Sequence, residues 1–305
     1  MLSEDELELL EAIRGSGSLS QAAARLGKAP SSVSRAARLL EERLDALLFD
    51  RRRYRLQLTP AGHLLATEAA HLQQDVARLT QRVRQIARGW EDRLWIVTDE
   101  LLEFETLLPL IRDFDALASG VSLRITHEVL AGTWEPLADG RADLVIGATN
   151  APPAIPKLRW VELGVVEWVF AVSPRHPLAK VRQPIQRETL LKHRSIVVAD
   201  TSRRPDSQSY GVTTGQAVLA VPSMAAKIAA QHDGLGVGWL PRWRVASLLA
   251  RGELVELVTA DPREPNILYV AWRGDQSGQA LVWWVRQLEN PRLSERLVRG
   301  VDAFQ

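Results

Sequence analysis

The sequence predicts an α + α/β protein in three parts: a small helical head, one long helix, and a larger body in which strands and helices alternate. Three observations carry this. Short apolar-periodic runs punctuated by glycine and proline fill residues 1–58. An unbroken apolar seam follows within 59–90. Over 91–305, apolar runs alternate with helix patterns, which implies a parallel sheet covered on both faces. A chain of 305 residues suits two or three domains rather than one.

The head opens on Ser3 and Glu6, which have capping-box spacing and start a helix that turns Leu9, Leu10 and Ile13 inward. Gly15-Ser16-Gly17 breaks it. Ser18 with Gln21 repeats the box and opens a helix over 19–26, whose inward Ala22, Ala23 and Leu26 let another helix approach closely. Gly27 ends this helix. Pro30 starts a third, with Val33, Ala37, Leu40 and Leu44 on its inner face. Two helices joined by so short a turn read as helix-turn-helix. The outer front of the third helix offers Ser31, Ser32, Ser34, Arg35 and Arg38, types that reach phosphates and base edges when a helix end enters the major groove. Leu48 and Phe49 return to the core, and 50–58 is a polar turn with the shape of a wing, carrying Arg51, Arg52 and Arg53. A solvated charged loop is the plain alternative for those arginines; their place beside the helix pair favours DNA. Ser18, Ser20, Gln21 and Pro30 complete the candidate DNA-contacting set.

Charge agrees by its distribution rather than its total. The net charge is only +1. Residues 1–24 hold five acidic groups against Arg14, whereas 25–55 hold nine basic groups against four acidic ones. A local excess of that size marks a candidate phosphate-facing surface.

The long helix is expected from Thr59, able to cap its first amides, and Pro60, which fits the first helical position. Gly89 marks its end. Its seam is Leu65, Ala69, Leu72, Val76, Leu79, Val83 and Ile86, at alternating steps of four and three. A stripe this narrow needs a second helix. Packing on its own domain is one reading; pairing with a second copy is the favoured one, because separate domains rather than antiparallel helices flank it.

In the body, strands are expected over 93–98, 121–129, 143–147, 167–172, 195–199, 237–240 and 267–272. Between them lie helices, one with Leu107, Leu108, Ile111 and Phe114 inward, and a last one with Leu281, Val285 and Leu288 inward. That is too many elements for one compact sheet. The division is therefore subdomain I, about 91–168 and 271–305, and subdomain II, about 169–270, with crossings near Val169 and Val270. Ligands of open α/β sheets sit beyond the carboxyl ends of strands and against helix N-termini. This nominates Thr98, Asp99, Glu100, Gly132, Thr133, Ala148, Thr149, Asp200, Thr201, Ser202, Ser223 and Met224 for an effector cleft, against the plain alternative of caps and turns. Trp134, Trp168 and Trp239 are candidates for a flat apolar wall.

Several classes are excluded or disfavoured. There is no cysteine, hence no disulfide, thiolate nucleophile or cysteine-ligated metal. The six histidines have no metal-ligand spacing, so neither metal nor cofactor is expected. Gly234-x-Gly236-x-Gly238 lacks the strand-then-helix order of a dinucleotide loop, and no serine sits in a nucleophile elbow. The acidic N-terminus is not a secretion signal and no run is apolar for long enough to span a bilayer, so a cytoplasmic protein is expected.

The run Gly17-Ser18-Leu19-Ser20-Gln21-Ala22-Ala23, with Leu26, Val33-Ser34-Arg35, Leu40-Glu41, Leu48-Phe49-Asp50-Arg51 and Leu58-Thr59-Pro60-Ala61-Gly62, resembles the N-terminal domain of LysR-type transcriptional regulators. Two positions depart from that pattern: Ala29-Pro30-Ser31 stands for the usual Ser-Gln-Pro, and Asp45 for the usual Gly. The body is similar to the effector domain of the same family through Arg141-Ala142-Asp143-Leu144-Val145-Ile146, His176-Pro177-Leu178-Ala179, Gly234-Leu235-Gly236-Val237-Gly238 with Leu240-Pro241, and Gly252-Glu253-Leu254-Val255. The resemblance implies a winged helix-turn-helix, a linker helix and a two-subdomain, periplasmic-binding-protein-like effector domain. It implies a bacterial, nucleoid-bound transcriptional regulator that binds double-stranded DNA and a small-molecule effector as a homodimer and, through its effector domains, a homotetramer. Arg88-Gly89-Trp90-Glu91 resembles a branch associated with aromatic or quinone-like effectors. The competing classes are an α/β enzyme fused to a DNA-binding domain and a ligand-independent DNA-organising protein.

Overall fold

The computed structural model describes residues 2–16, 18–50, 57–149, 151–202, 214–275 and 278–300. It divides into two compact units, Met1–Arg84 and Gln85–Gln305. The long helix is shared between them and is not a unit of its own.

The first unit contains α1 (Glu4–Ser16), α2 (Leu19–Leu26), α3 (Pro30–Leu44), the short strands β1 (Phe49–Asp50) and β2 (Gln57–Leu58), and most of α4 (Pro60–Ala87). Local chemistry sets each boundary. The Ser3 amide donates to Glu6 Oε2 at 2.8 Å and the Glu6 amide to Ser3 Oγ at 3.3 Å. Ser18 Oγ accepts from the Gln21 amide at 3.2 Å. Gly27 closes α2 at φ 64°, and Asp45 closes α3 at φ 48°, a left-handed turn that a short polar side chain tolerates. Leu9, Leu10, Ile13, Ala22, Ala23, Val33, Ala37, Leu40, Leu48 and Phe49 make one buried cluster.

Leu44 departs from expectation: it is 41% exposed. Glu41 is buried instead, because its carboxylate accepts the amides of Leu48 at 2.8 Å and Phe49 at 3.0 Å. The chain leaving α3 therefore folds over Glu41 and leaves Leu44 outside. β1 and β2 pair antiparallel, Phe49 opposite Leu58, which forms the base of the expected wing. Arg51, Arg52 and Arg53 lie outside the described residues.

Thr59 Oγ1 accepts from the Gly62 amide at 3.0 Å and so caps α4. The seam is divided. Leu65 and Ala69 pack into the head's own core, so those two positions are not free for a second chain. Leu72, Val76, Leu79, Val83 and Ile86 are 51–62% exposed along the rest of the helix.

The second unit holds β3 (Arg93–Asp99), α5 (Leu108–Asp115), β4 (Ser122–Glu128), α6 (Glu135–Ala138), β5 (Leu144–Ala148) and β6 (Leu158–Val166). It continues through β7 (Trp168–Val172), α7 (Arg187–Leu190), β8 (Ser195–Val198), β9 (Val218–Val221), α8 (Met224–His232), β10 (Gly238–Pro241) and α9 (Arg242–Ala250). It ends with β11 (Val255–Glu256), β12 (Asn266–Arg273), α10 (Gln279–Leu288) and α11 (Pro291–Arg299).

The main sheet has order β4-β3-β5-β12-β6. β3 pairs parallel with β4 and β5, whereas β12 runs antiparallel to both β5 and β6, so the sheet is mixed rather than all parallel. β6 escapes the sequence pattern because Arg159 and Glu162 interrupt its apolar run, as an edge strand permits. β12 pairs with β6 from Asn266 onward, so the chain returns to the main sheet at Asn266 and not near Val270. In the second subdomain β7 lies between β10 and β11, and β8 pairs with β9. Gly236 lets the backbones approach there: a Cβ would lie 2.6 Å from the Arg194 carbonyl oxygen. This accounts for the glycine run without a nucleotide. On the α5 side, Leu110 is buried and Leu108 is 39% exposed, because the chain enters as a 3-10 turn at Phe104–Leu107 and shifts the helical phase.

Removing the buried Glu41 acceptor leaves two amides unpaired. Glu41→Ala is expected to destabilise the head by about 2–3 kcal/mol in chemical denaturation of the full chain. Glu41→Gln, which keeps one acceptor oxygen, is expected to cost less.

Candidate functional site

On the head, α3 presents Ser31, Ser32, Arg35 and Arg38 as exposed side chains, with Ser34 half-buried. Its N-cap, Ala29, supplies no side-chain cap, and because the Ser32 and Val33 amides both donate to the Ala29 carbonyl, the Ser31 amide beside Pro30 is the donor left open among the described residues. Ser20 and Gln21 of α2 are exposed, while Ser18 is engaged as the cap.

The basic residues separate by face. Arg25 pairs with Glu11 at 3.9 Å, Lys28 with Asp5 at 2.9 Å, and Arg43 with Glu6 at 2.5 Å. Lys28 holds the Asp5 carboxyl below the usual carboxylate range. These three cations face the acidic first helix. Arg35 and Arg38 enter no ion pair among the described residues, which leaves their guanidiniums available to phosphate or base.

The last residues of α4, from Gln85 on, belong to the second unit. Glu91 accepts the amides of Ala280 at 2.9 Å and Leu281 at 3.0 Å, capping α10. Gln279 donates to the Arg88 carbonyl at 2.7 Å and Gln85 to that of Glu91. Trp90 packs edge-on to Phe114, their ring centroids 6.2 Å apart.

Within the second unit the two subdomains are clasped. The Met224 amide, at the start of α8, donates to Glu100 Oε1 at 3.1 Å. The Val129 amide donates to Thr201 Oγ1 at 2.9 Å and the Gly132 amide to Asp200 Oδ1 at 3.3 Å. Ser202 donates to Glu135, and Arg244 donates to the Glu100 carbonyl at 3.0 Å. Behind this clasp lies a cavity of about 50 Å³.

Asp99, Glu100, Thr149 and Met224, all nominated from sequence, line the cavity. The others take supporting places. Thr98 lies in β3 with Oγ1 2.8 Å from His127 Nδ1, and Thr133 donates to Asp99 Oδ2 at 2.9 Å. Ala148 is core, and Ser223 caps α8. Gly132, Asp200, Thr201 and Ser202 belong to the clasp rather than the lining.

Sequence reasoning missed Lys227 and Arg263, which also line the cavity. The signal for Lys227 was present: it is the only charge in the α8 run Met224-Ala-Ala-Lys-Ile-Ala-Ala. Burial pushes the Lys227 ammonium down to about 7, with Arg263 adding to the effect. Burial likewise pushes the Asp99 carboxyl up to about 7, against the hydrogen bond it accepts from the Leu101 amide. The three tryptophans do not form one wall. Trp134 sits in a core cluster and donates to the Thr149 carbonyl at 2.9 Å, and Trp239 packs on Phe170. Only Trp168 lines the cavity, and the Arg263 guanidinium covers its ring at 3.4 Å from the centroid.

A basic reading head and a two-subdomain body joined around a small cavity define the class of ligand-responsive DNA-binding proteins. The comparisons agree. The family model described as bacterial regulatory helix-turn-helix protein, lysR family, matches residues 5–63, and the LysR substrate binding domain model matches 87–291. The chain is 34% identical over 301 residues to the uncharacterized HTH-type transcriptional regulator YeeY of Escherichia coli K12, covering 98% of this chain and 96% of the relative. It is 32% identical over 288 residues to the HTH-type transcriptional regulator PunR of the same strain, covering 94% and 93%. Among solved structures, it is similar to the probable transcriptional regulator PA0477 of Pseudomonas aeruginosa, with TM-score 0.58, 22% identity and coverage of 94% and 97%. Full-length LysG of Corynebacterium glutamicum, with bound effector Arg, gives TM-score 0.52, 22% identity and coverage of 98% and 100%. The chain belongs to the LysR-type family of DNA-binding transcriptional regulators, with a helix-turn-helix domain and an effector-binding domain.

The clasp yields a test. A Cβ on Gly132 would lie 2.9 Å from the Thr201 carbonyl carbon and 3.0 Å from the Ser202 amide nitrogen. Gly132→Ala is therefore expected to hold the subdomains apart. DNA affinity should survive while the response to effector in a mobility-shift assay is lost; an undiminished response means that the clasp does not report closure.

Proposed function

We propose that the protein regulates transcription by setting the spacing of two recognition helices, with a small molecule in the subdomain cleft choosing between two closures of the effector domain. The observation that carries this is the clasp: subdomains joined by side-chain contacts to backbone amides around a small cavity. Such joints can exist open or closed, and a ligand that prefers one arrangement shifts the population toward it.

Two chains pair along Leu72, Val76, Leu79, Val83 and Ile86, which leaves one recognition helix per chain to address each half of a two-fold site. Half-sites lie about one helical turn apart or a multiple of it. Arg35, Arg38, Ser31, Ser32 and Ser34 read the major groove from α3, Ser18, Ser20, Gln21 and Pro30 contact the backbone beside it, and Arg51, Arg52 and Arg53 add the wing. The same pairs associate further into tetramers through the effector domains. The protein works in the bacterial cytoplasm, on the nucleoid, without turning its effector over. Among the described residues no helix is long and apolar enough to cross a membrane. The effector-bound state of the structural neighbour LysG supports a small-molecule ligand.

Footprinting of purified protein on genomic fragments, with and without a metabolite panel, tests the reading; protection that no compound alters overturns the switch. Arg35→Ala is expected to lose at least tenfold at the specific site, about 1–3 kcal/mol of base discrimination, and little on scrambled DNA. Equal losses on both would remove it from base readout. Leu79→Glu is expected to sediment as a monomer and to bind the two-fold site weakly while retaining a folded effector domain by circular dichroism.

A further inference from the structure

The least expected group in the cleft is Lys227. It is 4% exposed and faces the cavity, yet no carboxylate or hydrogen-bond acceptor among the described residues engages its ammonium. Its charged neighbours on the lining are Asp99 and Glu100 at the end of β3 and Arg263 ahead of β12. None of them neutralises it. Glu100 turns its carboxylate to the Met224 amide, Asp99 is engaged by Thr133 and by the Leu101 amide, and Arg263 carries the same sign. A buried cation is normally paired. A second orphan lines the same cavity: Thr149 Oγ1 is buried with no hydrogen-bond partner among the described residues. Arg263 is fixed beside them by its stack on Trp168 and its donation to Asn266 Oδ1 at 3.2 Å.

We infer that the effector carries a carboxylate, and that Lys227, Arg263 and the Thr149 hydroxyl hold it between the closed subdomains. The inference rests on the effector reading above and names the chemistry of that effector. Two cations and a hydroxyl donor provide the charge and hydrogen bonds that a carboxylate accepts. The cavity of about 50 Å³ has room for roughly three or four water-sized groups, the scale of a carboxylate and the carbon that bears it. The rest of a larger ligand requires a wider closure than the one described. Protonation follows the same direction. An anion beside Lys227 favours its charged form and an anion beside Asp99 favours that carboxyl's neutral form, so binding near neutral pH takes up protons.

The test uses the full-length chain with propionate and benzoate as probes, their amides as uncharged isosteres, and inorganic phosphate as a third arm. Thermal melting and titration calorimetry in two buffers of different ionisation enthalpy are the readouts. The expected result is stabilisation by the carboxylates with net proton uptake at pH 7.5, and none by the amides. Lys227→Met should weaken carboxylate binding at least tenfold and raise the melting temperature of the ligand-free chain, because a desolvated, unpaired cation is gone. Should that variant not fold, Arg263→Gln serves the same comparison. Equal stabilisation by acids and amides, unchanged affinity in the variants, stabilisation by phosphate alone, or carboxylates without effect on the wild-type chain would each overturn the inference. The footprint separates the two levels. If neutral compounds alter it in wild type and Lys227→Met alike, the effector reading stands and the carboxylate falls; if no compound alters it, both fall.

Discussion

Five large apolar side chains that stand in water over the second half of one helix constrain everything else. Leu72, Val76, Leu79, Val83 and Ile86 form a single ridge on α4, and neither compact unit covers it. A ridge of one side chain per turn is too narrow for a sheet or loop to bury but suits another helix. Its ends are fixed differently. Leu65 and Ala69 anchor the beginning in the head's core, while Gln85, Glu91 and Gln279 tie the end to the start of α10. Only the middle is left to associate. The helix thus serves a different neighbour at each end and leaves its exposed ridge between them.

Charge is organised on the same economy of faces. The near-neutral total conceals a head whose acidic first helix takes up Arg25, Lys28 and Arg43. Such exposed pairs add little stability. Their effect is to leave the uncompensated positive charge on the outer side of α3, where Arg35 and Arg38 project. Counting basic residues over 25–55 finds the right region but overstates the surface, because pairing between α1 and the later helices is a tertiary fact.

What could be read beforehand was what local chemistry decides. The caps at Ser3, Ser18, Thr59 and Ser223, the stops at Gly27 and Asp45, and the cores of the first three helices follow from side chains acting on neighbouring backbone. The misses share the opposite cause. β6 carries charges that an edge strand tolerates, β12 runs antiparallel because of a long return through the other subdomain, and Glu41 turns inward in place of Leu44 to satisfy two amides beyond the helix. For the cleft, helix-start and strand-end rules found the clasp and one wall. They were blind to Lys227, a mid-helix residue whose role depends on which strands pack against α8, and to Arg263, which a stack on Trp168 positions.

The clasp and the buried cation act against each other, and that opposition suits a switch. Each contact between subdomains is a hydrogen bond that water replaces on opening, with a net worth of about 1 kcal/mol. In the arrangement described, Lys227 is desolvated and no carboxylate among the described residues pairs with it, which weakens that arrangement. Moving such a balance from 1:99 to 99:1 requires about 5.5 kcal/mol of differential binding. An anion that meets the buried Lys227 and the half-buried Arg263 only in the closed arrangement contributes its interaction to that state alone, and a ligand bound equally in both would shift nothing. The unpaired ammonium is therefore a cost that the ligand-free protein bears so that closure can depend on what enters the cleft.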